Sequence, residues 1–155
     1  MQNFDKFSAA EASGRTIWEE KLIINQSTGV TFTEDKYNPV DVRWGKNGVG
    51  YVGEIKFRPN YSSTSKIIEK QGVLLEKYKY DALKSIQSRE GRIPYYIHIF
   101  NDNVLYLFDL SHYNPIWIEE EDKFPKTTMG DNTKVTKVVT YLSLSQGFKC
   151  KYKKL

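Results

Sequence analysis

Apolar and polar positions alternate over 40–44 and 49–57, on either side of Asn47-Gly48. This predicts two β-strands joined by a tight hairpin, because Asn-Gly accepts the positive φ angles such a turn requires. On the second strand Ile55 and Phe57 then face one way, and Glu54 and Lys56 face the other. Ahead of the hairpin, Ser8-Ala9-Ala10-Glu11 has the form of a capping box, in which serine and glutamate each satisfy a free N–H at a helix start. It predicts a helix from about Ala9 to Asn25 with Ile17, Trp18, Leu22 and Ile24 on its apolar face, then a turn at Ser27-Thr28-Gly29 and a short strand over 30–34. After the hairpin, Ile67, Leu74, Tyr78, Ala82, Leu83 and Ile86 recur at helical spacing and predict a second helix over about 66–87, stopped by Gly91. The runs Ile93–Phe100 and Val104–Leu110 read as buried strands joined at Asn101-Asp102-Asn103. Beyond them the pattern weakens to a short strand at Ile116–Ile118, an acidic run at Glu119–Asp122, a long loop over 124–134, an edge strand or short helix over Val135–Leu144, and a basic tail.

Length and composition narrow the class. A chain of 155 residues fits one domain, 1–155, with 111–155 as a C-terminal extension on the core. A single cysteine, Cys150, excludes an internal disulfide framework. Nothing resembles a membrane span or a secretory leader, so the expectation is a soluble, cytoplasmic protein with no membrane partner. Twenty-three Lys and Arg against 19 Asp and Glu leave a formal charge of +4, which favours a polyanionic partner. Charge alone does not separate DNA from RNA.

The hairpin carries the candidate chemistry. With its strands in register about the turn, Asp41 lies close to Glu54, so two carboxylates and the Lys56 ammonium share a small volume. Such a cluster repels itself unless a cation sits in it, and hard oxygen ligands favour Mg²⁺ or Mn²⁺. The glycines at 45, 48, 50 and 53 are followed by no G-K-[ST], which excludes a P-loop. Gly53 is instead expected to admit a backbone, a metal-bound water or a phosphate. In the polar loop that follows, Arg58, Ser62 and Ser63 are suited to holding a phosphate backbone, as are Lys126, Lys134 and Lys137 with the threonines of the long loop. The helix lysines Lys66, Lys70, Lys77, Lys79 and Lys84 read as solvated, His98 as a core residue, His112 as a loop residue, and the acidic run as lying away from the cleft.

Pro39, Asp41, Glu54 and Lys56, written P-V-D, twelve residues, then E-I-K, resemble the signature of the PD-(D/E)xK nuclease superfamily. The order of elements from about Ser8 to about Leu110 resembles that family too. The resemblance implies an α/β, restriction-endonuclease-like core: a central mixed four- to five-stranded sheet flanked by two main helices in the order αβββαβ. It implies a divalent-metal-dependent nuclease acting on DNA, structure-selective or weakly sequence-specific, similar to Holliday-junction resolvases or phage-type nucleases, with a homodimer suited to cutting two strands. Asp41, Glu54 and the Ile55 backbone carbonyl would hold Mg²⁺ or Mn²⁺, and Lys56 would orient or deprotonate the attacking water. G-x-x-x-W-E, ending at Glu19, resembles the first-helix pattern whose glutamate supports the metal, and Gln71 matches a polar side chain that orients the lysine or a water. Two other classes remain open: a non-catalytic nucleic-acid-binding or assembly protein that keeps the fold, and a protein-interaction module in which Glu54 and Lys56 are a surface pair.

Overall fold

The computed structural model describes the backbone of residues 2–34, 38, 40–125 and 134–153, and the side chains of all these except 2–8, 121–125, 134 and 135. In chain order the elements are α1 (Gln2–Ile24), β1 (Thr28–Phe32), β2 (Val42–Lys46), β3 (Val49–Arg58), α2 (Lys66–Gln71), β4 (Val73–Glu76), α3 (Lys77–Glu90), β5 (Ile93–Phe100), β6 (Val104–Asp109), β7 (Ile118–Pro125), β8 (Lys134–Leu142) and β9 (Phe148–Lys151). They form a mixed α/β fold around a six-stranded sheet, β1-β2-β3-β5-β6-β9, beside a three-stranded sheet, β4-β8-β7. Among the described residues no helix is long and apolar enough to cross a membrane.

The hairpin forms where the sequence places it, with Asn47 at φ 53° and Gly48 at φ 81° between the paired residues Lys46 and Val49. β3 and β5 run parallel, whereas the other neighbours in the sheet are antiparallel. A parallel pair needs a crossover, and α2, β4 and α3 supply it. On one face of the sheet α1 packs Ile17, Trp18 and Leu22 against Val42, Trp44, Ile55, Ile97, Ile99 and Leu105. On the other, Leu83 and Ile86 of α3 join Val52, Tyr96, Phe100 and Phe108 of the large sheet and Val73, Leu75 and Leu142 of the small one.

Several expectations are corrected. α1 already runs from Gln2, so Ser8 lies within the helix and not at its start. The single helix over 66–87 is broken at Gly72, whose φ is +85° and whose added Cβ would lie 2.2 Å from the Leu142 carbonyl oxygen. Only glycine tolerates that approach and that conformation. It turns Val73–Glu76 into a strand paired with β8, a role that the β-branched and leucine run Val73-Leu74-Leu75 accepts as readily as helix. The central sheet is wider than four or five strands, because β1 and β9 form its two edges. The expected basic tail thus supplies a strand on β6. Val135–Leu144 gives neither an edge strand nor a helix but most of β8, the middle of the small sheet. The acidic run lies within β7, which starts at Ile118.

Candidate active site

β3 sets the site by its alternation. Gly53, Ile55 and Phe57 face α1. The expectation that Gly53 admits a backbone, a metal-bound water or a phosphate is corrected: an added Cβ there would lie 2.6 Å from Ile97 Cδ1 and 3.1 Å from Trp44 Cζ3, so apolar side chains fill the space. Glu54, Lys56 and Arg58 face α3, opposite Tyr96, His98 and Phe100 in the β5 register.

Asp41 stands immediately before β2, where the hairpin strands part. Its backbone N–H still donates to the Gly53 carbonyl at 2.9 Å. Its carboxylate then takes over the ladder: Oδ2 accepts from the Ile55 N–H at 2.7 Å. In a strand the C=O of a residue leaves by the same edge as its N–H, so the Ile55 carbonyl leaves β3 by the edge at which Asp41 receives the N–H. Oδ1 accepts from Arg15 Nη2 of α1 at 3.0 Å, and Arg15 Nη1 donates to the Thr33 carbonyl at 2.7 Å.

Glu54 is only 4% exposed, and its Oε1 accepts from Lys79 Nζ near the start of α3. Burial pushes the Glu54 carboxyl well above the usual range; the Lys79 ammonium acts against this, while Asp41, within hydrogen-bonding reach, adds to it. Two lysines share this face and behave differently. For Lys79, burial favours the neutral amine, but the charge of Glu54 overrides it and keeps the ammonium protonated. For Lys56, burial, then the charges of Arg58 and Lys79, lower the pKa to about 8. His98, paired with Lys56 across the β3–β5 ladder, is held well below its ordinary value, by burial first and then by Arg58 and Lys56. Its Nδ1 is buried and has no hydrogen-bond partner among the described residues.

The other expected site residues are dispersed. Glu19 is exposed on α1, one turn after Arg15, and no three described His, Cys, Asp or Glu side chains gather closely enough to hold an ion together. Gln71, at the exposed end of α2, has the hydroxyl of Tyr141 on the small sheet as its partner. Ser62 and Ser63 are turned inward to Asp102 in the β5–β6 turn, with the Ser63 N–H and the Ser62 hydroxyl each 3.1 Å from Oδ2, so they tie two loops together. Arg58 is partly buried at the end of β3, close enough for its charge to act on Lys56 and His98. Lys137 pairs with Glu76 Oε1 at 3.3 Å. Pro39, Lys126 and the side chain of Lys134 lie outside the described residues.

Lys79 and Arg15 were not expected at the site, yet the sequence marks both. With α3 starting at Lys77, Lys79 shares a face with the buried Leu83 and Ile86 at i+4 and i+7. Arg15 likewise shares a face with Trp18 and Leu22 at i+3 and i+7. A cation on an apolar stripe implies an acidic partner beneath it. The assumption of one unbroken helix hid this for Lys79, and Lys84, also expected to be solvated, donates to the Ser111 carbonyl at 2.8 Å.

This arrangement of elements is shared with a solved structure. The chain is similar to the 1.6 Å structure of Archaeoglobus fulgidus Hjc, a Holliday junction resolvase from an archaeal hyperthermophile, with a TM-score of 0.52 and 10% identity over 87% of this chain and 89% of that one. At that identity the likeness is one of fold. No protein-family model and no curated protein matches the sequence.

Proposed function

We propose that this chain is a divalent-metal-dependent nuclease that hydrolyses phosphodiester bonds in DNA and selects by structure more than by sequence. The observation that carries the reading is the meeting of Asp41 and Glu54 at the point where β2 and β3 part, with the low-pKa Lys56 one alternation further along. The donor set fits a hard cation. Two carboxyls this close share either a proton or a metal ion, and Mg²⁺ characteristically takes one or two carboxylates and keeps several waters. Asp41, Glu54 and the Ile55 carbonyl would hold Mg²⁺ or Mn²⁺. Once bound, the ion would neutralise charge on the scissile phosphate and lower the pKa of a water.

The chain's own residues supply the rest. Arg15 and the Ile55 N–H fix both oxygens of Asp41. Lys56, with a pKa of about 8, has a neutral fraction near physiological pH and can accept the proton of an attacking water, then stabilise the phosphate as a cation. Arg58, next on the same face of β3, is placed to hold the neighbouring phosphate. The +4 charge suits a nucleic-acid partner, the shared fold of a Holliday junction resolvase favours branched DNA, and a homodimer would present two such sites to two strands. A second reading, a nucleic-acid-binding protein that does not cut, is favoured by the ion pairs of Arg15 and Lys79, which already neutralise both carboxylates.

The test is a panel of duplex, single-stranded, branched and RNA substrates incubated with Mn²⁺. Branched DNA should be cut in preference, and folded Asp41→Asn, Glu54→Gln and Lys56→Met proteins should each lose at least about a hundredfold of the rate. Full activity in any of them refutes the assignment, and salt-sensitive binding without cleavage favours the second reading.

A further inference from the structure

Resting on the metal site just proposed, we infer that Lys79 is a resident counter-ion which holds Glu54 in place until a divalent ion displaces it, and that the displaced ammonium passes to the free carboxylate oxygen of Glu76. Glu54 is buried, and a bare carboxylate at that depth does not persist without a partner. Lys79 supplies one, and it is the cation bonded to Glu54 Oε1. A divalent ion binding the same carboxylate brings twice the charge to that position, so the ammonium is driven off it.

The destination is already in place. Glu76 ends β4 and immediately precedes α3, three residues before Lys79, a spacing at which helix-start side chains are neighbours. Its Oε1 takes Lys137, but its Oε2 is buried with no hydrogen-bond partner among the described residues. The four-carbon stem of a lysine and its three rotatable donors allow the transfer without moving the helix. The exchange leaves Glu54 bound to metal, Lys79 bound to Glu76, and an otherwise orphaned oxygen satisfied. Lys79 is thus a positioning residue: its hydrogen bond to Oε1 holds the Glu54 side chain in place while no metal is bound.

Calorimetry of Mn²⁺ binding at pH 8.5 on the full chain tests this, using wild type, Lys79→Met, Glu76→Gln and the double variant. Lys79→Met should bind Mn²⁺ about tenfold tighter, the equivalent of one charged hydrogen bond no longer competing. Glu76→Gln should weaken binding several-fold in the wild-type background and leave it unchanged once Lys79 is gone. If Lys79→Met does not fold without metal, ¹⁵N spectra of the wild-type lysine ammonium groups give the same answer, since the Lys79 signal should shift as Mg²⁺ is added. Unchanged Mn²⁺ affinity in Lys79→Met, or a stationary ammonium signal, overturns the exchange while leaving the metal site standing. Absence of Mn²⁺ binding to wild type, or binding that survives Glu54→Gln, overturns the metal site itself.

Discussion

The two faces of the six-stranded sheet are built from alternate residues of the same strands, yet they treat charge in opposite ways. Under α1 the buried residues are all apolar, mostly aliphatic around two tryptophans: Trp18 meets Trp44 edge to face at 5.3 Å, and Trp44 stacks on Tyr51 at 5.4 Å. Under α3 the same β3 and β5 bury Glu54 and His98 beside Tyr96, Phe100 and Phe108. Dryness stabilises the first face, because removing apolar area from water is favourable. On the second face the same dryness perturbs ionisation, because charge is costly where water is absent. A period-two strand therefore lets one segment bury apolar area on one side and perturb ionisable groups on the other.

Exchanging damage between the faces separates these contributions. The largest effect is expected for Lys56→Met, which should lose at least about a hundredfold of the cleavage rate. Because burial disfavours this ammonium, the same variant should melt no lower than wild type, and about 2–4 °C higher for each kcal/mol of relieved charge burial. Trp44→Ala should do the reverse, costing about 3–5 kcal/mol in urea unfolding while the protein that remains folded keeps its affinity for Mn²⁺. A Trp44→Ala protein of undiminished stability would show that the α1 face is not the structural one. Next comes His98, whose pKa lies well below 6.5 in the folded chain. Below pH 6.5 the unfolded chain binds a proton that folded His98 refuses, so wild type loses stability as pH falls, by up to about 1.4 kcal/mol per pH unit from this residue. His98→Phe should flatten that slope in denaturant titrations at pH 5 to 7, and an unchanged slope would mean that His98 is not held neutral. The smallest effect belongs to Arg43–Glu90, a 3.0 Å pair joining β2 to the end of α3 on the charged face, with side chains 31% and 33% exposed. A double-mutant cycle should give it less than about 1 kcal/mol, showing that charge on this face matters where it is buried and little where it is wet.

Much of this contrast is legible in the chain. Asn47-Gly48 announces its hairpin, the alternation along β3 assigns Glu54 and Lys56 to one face, and β5 and β6 are dense enough in β-branched and aromatic residues to be read without help. What escapes is set by partners distant in sequence. Val73–Glu76 has both helical and strand character, and only pairing with β8 decides between them. Ser62 and Ser63 look free because Asp102, which engages them, arrives across the β5–β6 turn. Lys79 looks solvated as long as α2 and α3 are taken as one helix, since the break at Gly72 changes which side of the chain it lies on.

The route by which Lys79 reaches Glu54 bears on how the chain assembles. Asp41 and Glu54 are joined through a two-residue turn, a closure of microseconds. Lys79 arrives only when the crossover between β3 and β5 has closed, and β4 within that crossover waits in turn for β8, far downstream. Glu54 is therefore expected to meet Asp41 before Lys79 can reach it, whereas Arg15, the partner of Asp41, already precedes the hairpin in the chain. On the proposed reading, a divalent cation in the refolding buffer should find a half-finished receptor, and its concentration should then alter refolding yield and rate as well as activity.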